Sequence, residues 1–319
     1  MKYLFFDIEC AGVYKNVAKI CAFGYCLVDE QFNILAKEDL LINPQGSFHL
    51  TDRKGEQGLV LPYKYADFKS YPTFTQYADK IYGLLQEKDT LVVGHASMND
   101  VKYLNLESQR FNLPSFDFQF ADTQFLYMNK IGDFSRQFAL GVIAEKLGVN
   151  FTPHCAVDDA YATMKTAQAL CKDENLSLDK LLKKYNITLG KIENYQVTQN
   201  TSLAFQKFKK DKEKAKHERE KKRVAFHIFC DKQKRYRQKE GKLKGKLICL
   251  SHTLELDEKL AQKLVKGIFA LAGQITFKSE ECTLYVSVLN ETGPRIASVL
   301  KKGVPVLSVE QFLQMYFNE

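Results

Sequence analysis

Three short segments carry side chains whose types and spacing could do chemistry: Asp7-Ile8-Glu9, the run from His95 to Asp100, and the run from His154 to Asp159. Asp7 and Glu9 lie in an apolar stretch, residues 2–9, that reads as a buried β-strand. Residues two apart on a strand point to the same side, so both carboxylates would project together from a rigid element. That arrangement suits a hard divalent cation, which prefers oxygen ligands. Asp100 follows a second apolar run, residues 90–95, and sits near the start of an expected helix over 99–111. Taken singly, an Asp there is an ordinary helix-capping or dipole-facing residue.

His154 and Asp159 open a helical stretch that extends to residue 170. Five residues apart on a continuous helix they would point about 140° away from each other. They converge only if His154 occupies the loop before the helix and Asp159 its first turns, a placement supported by Pro153 just upstream.

In order and composition the three motifs resemble those of the DEDDh 3′ to 5′ exonucleases, the superfamily of the proofreading epsilon subunit of bacterial DNA polymerase III. The resemblance covers about residues 1–172. It implies an RNase H-like mixed-sheet α/β domain in which Asp7, Glu9, Asp100 and Asp159 hold two divalent ions, Mg2+ or Mn2+, and His154 is the general base. It also implies that Ile8, Cys10, Gly12 and His95 lie against the substrate. Elementary chemistry agrees. Phosphodiester hydrolysis needs an activated water and a neutralised leaving oxygen, and two metals about 3.5–4 Å apart supply both. An imidazole, ordinarily titrating near about 6.5, takes a proton at neutral pH. The pattern is altered at two places. Relatives commonly carry Thr-Thr-Gly-Leu where this chain has Cys10-Ala11-Gly12-Val13, and His-Asn-x-x-Phe-Asp where it has His95-Ala96-Ser97-Met98-Asn99-Asp100. Substrate choice and rate are therefore more open than reaction type.

The elements needed to position these groups follow from the patterning. Residues 20–29 and 32–43 read as strands continuing the first sheet. Residues 44–71, including Gly46, Gly55 and Gly58, read as a long loop. A helix from 72 to 86 has Phe74, Tyr77, Ile81 and Leu84 at helical spacing, a stripe better suited to core than to base stacking.

Towards the C-terminus the expected order is a strand at 245–251, a helix at 258–271, an extended segment at 273–277 and a strand at 283–289. A helix at 294–302, a strand at 304–307 and a last helix at 310–317 follow, with Ser308 and Gln311 as a capping box. This order, with Arg295-Ile296-Ala297-Ser298-Val299-Leu300-Lys301-Lys302-Gly303-Val304-Pro305-Val306-Leu307-Ser308, resembles a small α/β BRCT domain over residues 242–319. The tryptophan that many such domains carry in the last helix is missing, and Phe312 falls near its place. The resemblance implies a protein or phosphate ligand. For phosphate the matching positions are Ser251 and Arg295, and plain protein docking is the alternative.

Between the two lies a connector, residues 173–241, with a basic helical segment at 207–241. From 207 to 246 there are 18 Lys and Arg against 6 Asp and Glu, a net of +12 in a chain of net +8. A solvated helical spacer or a nucleic-acid clamp acting on phosphates both fit. The apolar cluster 224–230 interrupts the charge and is expected to dock on a domain or a partner.

The eight cysteines are scattered without the paired spacing of a zinc site, and read as free thiols. No apolar run is long enough to cross a membrane and the first strand starts at once, so a cytoplasmic setting is expected. The function implied is a metal-dependent exonuclease acting on single-stranded DNA or 3′ ends and releasing nucleoside 5′-monophosphates in repair, replication or proofreading. RNA is the rival substrate, and a catalytically weak nucleic-acid-binding scaffold the alternative from another class.

Overall fold

The first strand, β1 (Lys2–Tyr14), alternates its large side chains between two buried layers. Tyr3 and Phe5 enter one cluster, while Leu4, Phe6 and Ile8 enter the other. A strand buried on both faces must be central, and β1 is. In this computed structural model, which describes residues 1–49, 60–149, 151 and 153–317, it lies third in a seven-stranded sheet of order β3-β2-β1-β4-β5-β7-β8. The strands β2 (Val17–Asp29) and β3 (Ile34–Leu41) form an antiparallel meander with β1. On the other side β4 (Thr90–Gly94) and β5 (Phe118–Asp122) run parallel to it.

Helices cover both faces. Helix α1 (Phe74–Leu85), opened by the Thr73–Gln76 capping box, and α2 (Met98–Arg110) close the Phe6 side. Phe74 and Ile81 are buried and Tyr77 and Leu84 pack partly, so the aromatic stripe belongs to the core. The Phe5 side is closed by α3 (Thr123–Ile131), α4 (Leu140–Lys146), α5 (Ala156–Glu174) and α6 (Leu178–Lys184). Burying a Phe or Leu in such a layer stabilises by roughly 1.5–3 kcal/mol per side chain, which fixes the register of β1 and hence the side on which its polar end emerges.

The chain after residue 173 does more than connect. Besides α6 it forms β6 (Ile187–Thr188), β7 (Gly190–Glu193), β8 (Gln196–Thr198) and β9 (Thr201–Ser202). The β7–β8 hairpin pairs with β5 and completes the sheet. Short strands of two to four residues carry no clear alternation, which is why their sequence reads as linker. The loop expected at 44–71 contains a 3-10 turn, Tyr65–Ser70, while Gly55 and Gly58 lie outside the described residues.

Contacts divide the chain into two compact units, Met1–Lys209 and Lys210–Glu319. The helix α7 (Leu203–Gln233) spans the boundary and carries the basic run. Within the second unit β10 (Leu247–Leu250), β11 (Gln274–Ile275), β12 (Leu284–Ser287) and β13 (Val306–Ser308) form a parallel sheet of order β11-β10-β12-β13. Its helices are α8 (His252–Leu256), α9 (Glu258–Ala270), α10 (Pro294–Lys301) and α11 (Val309–Phe317). One face packs Ile248, Leu264, Ile268 and Phe312 together with Phe226 and Cys230 of α7, so the apolar interruption of the basic run docks on its own unit. Cys249, Tyr285 and Val299 form the other face. The expected capping box is present: Ser308 N–H donates to Gln311 Oε1 at 2.8 Å and Gln311 N–H to Ser308 Oγ at 3.2 Å.

All eight cysteines are free thiols, six of them buried. Among the described residues no helix is long and apolar enough to cross a membrane.

Candidate active site

Asp7 and Glu9 continue the face of β1 that begins with Tyr3 and Phe5, the face covered by α5. The apolar layer ends at Phe5, and the strand carries the two carboxylates beyond it. A bulge at Cys10 shifts the register with β2 immediately after Glu9, and the ladder resumes at Gly12. The partner of Asp7 across the ladder is Gly24, where a Cβ would meet the backbone of Ala156 and Val157 at 2.0–2.3 Å. The absent side chain is what lets the start of α5 rest on the sheet.

That close approach delivers the third motif. His154 precedes α5, in the left-handed region at φ +65°, and its N–H donates to Asp159 Oδ2 at 2.8 Å. Non-glycine residues held at positive φ are uncommon and cluster at functional sites. The loop before Asp100 has a second one, Ala96 at φ +52°. Asp100 itself sits in the first turn of α2, just past the end of β4.

The ligand atoms of Glu9, His154 and Asp159 all lie within 4.8 Å of one another, with His154 Nδ1 3.9 Å from Glu9 Oε1. Asp7 and Asp100 are outside that trio but within electrostatic reach of it. Burial raises the pKa of Asp7 well above the usual carboxylate range, and repulsion from Asp100, Asp159 and Glu9 raises it further. Burial likewise lifts Asp100, reinforced by Glu9 and by Asp122. Glu9 is pushed up to about 8 by burial, then by Asp159 and Asp39. Asp159 is pushed up to about 7 by burial, against the N–H of His154, which lowers it. Buried carboxylates that repel one another across one site are the donor set that divalent cations neutralise. The residues fit such ions.

The residues expected to lie against the substrate occupy four separate settings. Ile8 points to the opposite face and is buried in the core, so its side chain is not offered to substrate. Cys10 sits at the bulge and packs partly on the same cluster. Gly12 lies in the strand beyond, where a Cβ would make only ordinary contacts of 3.6–3.8 Å. His95 has both ring nitrogens engaged: Nε2 donates to the carbonyl of Phe138 at 3.0 Å and Nδ1 meets the Thr123 hydroxyl at 2.9 Å. Burial holds its pKa down. In this arrangement His95 ties β4 to the α3–α4 segment, with no ring nitrogen left for a ligand.

Three residues at the site escape the motif reading. Asp122 accepts the N–H groups of Ala96, Ser97, Gln124 and Phe125, strapping the loop before Asp100 to the start of α3. Its sequence signal is an ordinary helix cap. Tyr63 donates its hydroxyl to Asp39 Oδ2 and accepts the N–H of Ala156, each at 2.9 Å, so the pair holds the first residue of α5. Nothing in the sequence links positions 39, 63 and 156.

Residues 4–167 match the family described as Exonuclease (RNase_T). The chain belongs to the exonuclease family. The seven-stranded mixed sheet with helices on both faces fits the RNase H-like fold expected of such an exonuclease. No curated protein matches the chain by sequence at a significant level. Among solved structures it is similar to a 3′-exonuclease recognising the 3′ end of a histone mRNA stem-loop, at 17% identity over 63% of this chain and 71% of that one, TM-score 0.49. It is also similar to the nuclease domain of 3′hExo, a DEDDh family member, bound to rAMP, at 21% identity over 54% and 91%, TM-score 0.44. E. coli exonuclease I in complex with a dA16 oligonucleotide is 17% identical over 58% of this chain, which spans 42% of that enzyme, with TM-score 0.46. None reaches 0.5, and the membership rests on the match over residues 4–167.

In the second unit the two residues expected to take phosphate have internal partners. Ser251 is fully buried and its hydroxyl accepts the N–H of Leu254. Arg295 donates to Glu255 Oε1 at 3.1 Å, to the Phe277 carbonyl at 2.8 Å and to Cys249 Sγ at 3.0 Å. Through these bonds both residues hold α8 and α10 on the sheet.

Proposed function

We propose that this exonuclease removes nucleotides from the 3′ end of DNA in a metal-dependent reaction, releasing nucleoside 5′-monophosphates in DNA maintenance. The observation that carries the reading is convergence: β1, α2 and the start of α5 bring Asp7, Glu9, Asp100, Asp159 and His154 to one end of the sheet. The carboxylates Asp7, Glu9, Asp100 and Asp159 are assigned to two divalent ions, Mg2+ or Mn2+. Such ions, when bound, acidify a water and neutralise the leaving oxygen. His154 is assigned as general base. Its side chain is half exposed and its Nδ1 faces Glu9, which leaves Nε2 to take the proton from the attacking water. The N–H of His154 orients Asp159, and burial of the carboxylates keeps bulk water from screening them.

The assignment to DNA rests on the C-terminal unit, whose parallel four-stranded sheet supports a BRCT-like domain at 242–319, a type associated mainly with DNA maintenance. We assign that domain to protein docking, residues 1–172 to the exonuclease domain, and the basic stretch at 207–241 to contacts with the phosphate backbone. The test is degradation of matched 5′-labelled single-stranded DNA and RNA with Mg2+ or Mn2+, alongside EDTA and Asp7→Ala controls. A ladder shortening from the 3′ end and lost in both controls supports the enzyme, and the faster substrate decides DNA or RNA. The absence of any metal-dependent ladder refutes it and favours a nucleic-acid-binding scaffold.

A further inference from the structure

A cavity of about 530 Å3 opens in the first unit beside Asp100, lined by Ala96 from the loop before α2 and by Asn99 from its first turn. Its volume lies in the range of pockets that hold small organic ligands, roughly 300–1,000 Å3. Its floor is aromatic: Phe205 lies 5.3 Å from Phe125 and 5.6 Å from Phe134, centroid to centroid. Its polar lining is dominated by carboxamides, among them Asn99, Gln137, Gln199 and Asn200. Of the charged residues that line it, Asp122 already accepts four backbone N–H groups and Arg136 lies 3.5 Å from Asp133. A site for phosphate would be expected to offer free cations, and one for an aliphatic chain would not be ringed by amides. Carboxamides both donate and accept, and aromatic faces stack, which together match the edge and the face of a nucleobase.

A second observation points the same way. Asn200 is 7% exposed, lines this cavity, and its side-chain oxygen has no hydrogen-bond partner among the described residues. Buried polar atoms are nearly always paired, so an unpaired one at a cavity wall calls for a ligand or water.

We infer that this cavity accepts an unpaired base of the substrate strand, upstream of the terminal nucleotide, taken out of the stack while the 3′ end lies at the carboxylates. The inference rests on the nucleic-acid reading of the neighbouring site. It deepens that reading by adding a preference for single-stranded or frayed ends, because a paired base cannot enter without being extruded. Four segments outside the catalytic motifs build the site: α3 with Phe125, the α3–α4 loop with Gln137, the turn at Gln199 and Asn200, and the start of α7 with Phe205.

The test uses the full chain in EDTA, so that no strand is cut. Single-stranded DNA carries 2-aminopurine at one position at a time, from the 3′ terminus to the sixth nucleotide. Fluorescence is expected to rise on binding at one upstream position, where the base leaves its neighbours. An abasic residue at that position should weaken binding about tenfold, and the Gln137→Ala, Gln199→Ala double variant should lose that position dependence. A flat fluorescence profile with an abasic scan of no effect overturns the inference. If the double variant fails to fold, as read by its thermal transition, the wild-type abasic scan decides alone. Cutting of the same strands with Mn2+ alongside a flat profile removes this inference only. A positional signal without cutting removes the enzymatic reading and keeps the cavity's role.

Discussion

Gly24 and Ala156 touch backbone to backbone: a Cβ on Gly24 would come within 2.0 Å of the Ala156 carbonyl carbon. One residue of β2 thus sets the distance between the strand that carries Asp7 and Glu9 and the helix that carries Asp159. A Gly24→Val variant must push α5 away or distort β2. We expect a stability loss of about 1–3 kcal/mol or more, typical of overpacking. Activity should fall further than that loss explains at temperatures where the variant is still folded, measured by thermal denaturation and nuclease assay on one preparation. Wild-type turnover in a folded Gly24→Val protein would show that the contact does not position the site.

Removing the imidazole with His154→Ala should lower kcat by about 10²–10⁴-fold, the usual range for a positioned general base. Because the backbone N–H remains, Asp159 keeps its 2.8 Å bond and the carboxylates should still bind Mn2+. Calorimetric titration with Mn2+ beside the kinetic assay separates the two roles. Unchanged kcat over pH 6 to 9 would remove His154 as the base.

Tyr63→Phe deletes a single oxygen that bridges Asp39 and the N–H of Ala156. Both partners then lack a bond in a part-buried setting, which costs about 1–3 kcal/mol. The expected signature is a lower melting temperature together with reduced turnover and little change in KM for the strand. A variant with normal stability and kcat would show that the Asp39–Tyr63 pair is dispensable.

Without metal, the site makes the folded state bind protons that the unfolded chain has released. Glu9 is raised from an ordinary 4.5 to about 8 and Asp159 from 3.8 to about 7, so both are protonated when folded but ionised when unfolded between those limits. Stability therefore falls as pH rises through that window, and the loss is complete above about pH 8. In EDTA the melting temperature should decline from pH 5 to pH 8. Added Mn2+ or Mg2+ should raise it more at pH 8 than at pH 5, since the ions bind ionised carboxylates. A metal effect that shrinks with rising pH would refute this.

The lysines of α7 can be tested without disturbing its docked end. Lys210, Lys214 and Lys216 are exposed, whereas Phe226 and Cys230 are buried. Replacing the three by Gln should weaken binding to single strands and reduce the slope of log K against log salt by about 0.7 for each phosphate that is no longer neutralised. An unchanged slope would make the helix a spacer.

The amino-acid sequence made much of this legible. The alternation through Tyr3, Phe5, Asp7 and Glu9 announces a strand with two carboxylates on one side, and the loop-then-helix placement of His154 and Asp159 follows from a 3.6-residue turn. Long periodic elements such as α1, α5 and α9 are also visible, because their apolar spacing repeats several times. The two-to-four-residue strands at 187–202 have no room for a period, so their sequence reads as connector.

Other features are decided only in three dimensions. Asp122 looks like a plain helix cap until its carboxylate is found bracing the loop before Asp100. Ser251 and Arg295 match phosphate-binding positions by motif alone, yet the fold commits both to internal hydrogen bonds. The union of Asp39, Tyr63 and Ala156, and the cavity shared by Asn99, Gln137 and Asn200, join segments far apart along the chain. Side-chain type and local spacing are properties of the chain, so the chemistry of the candidate site could be read from it. Which distant groups meet depends on how two apolar layers close around β1, and that is settled only when the sheet and its helices pack.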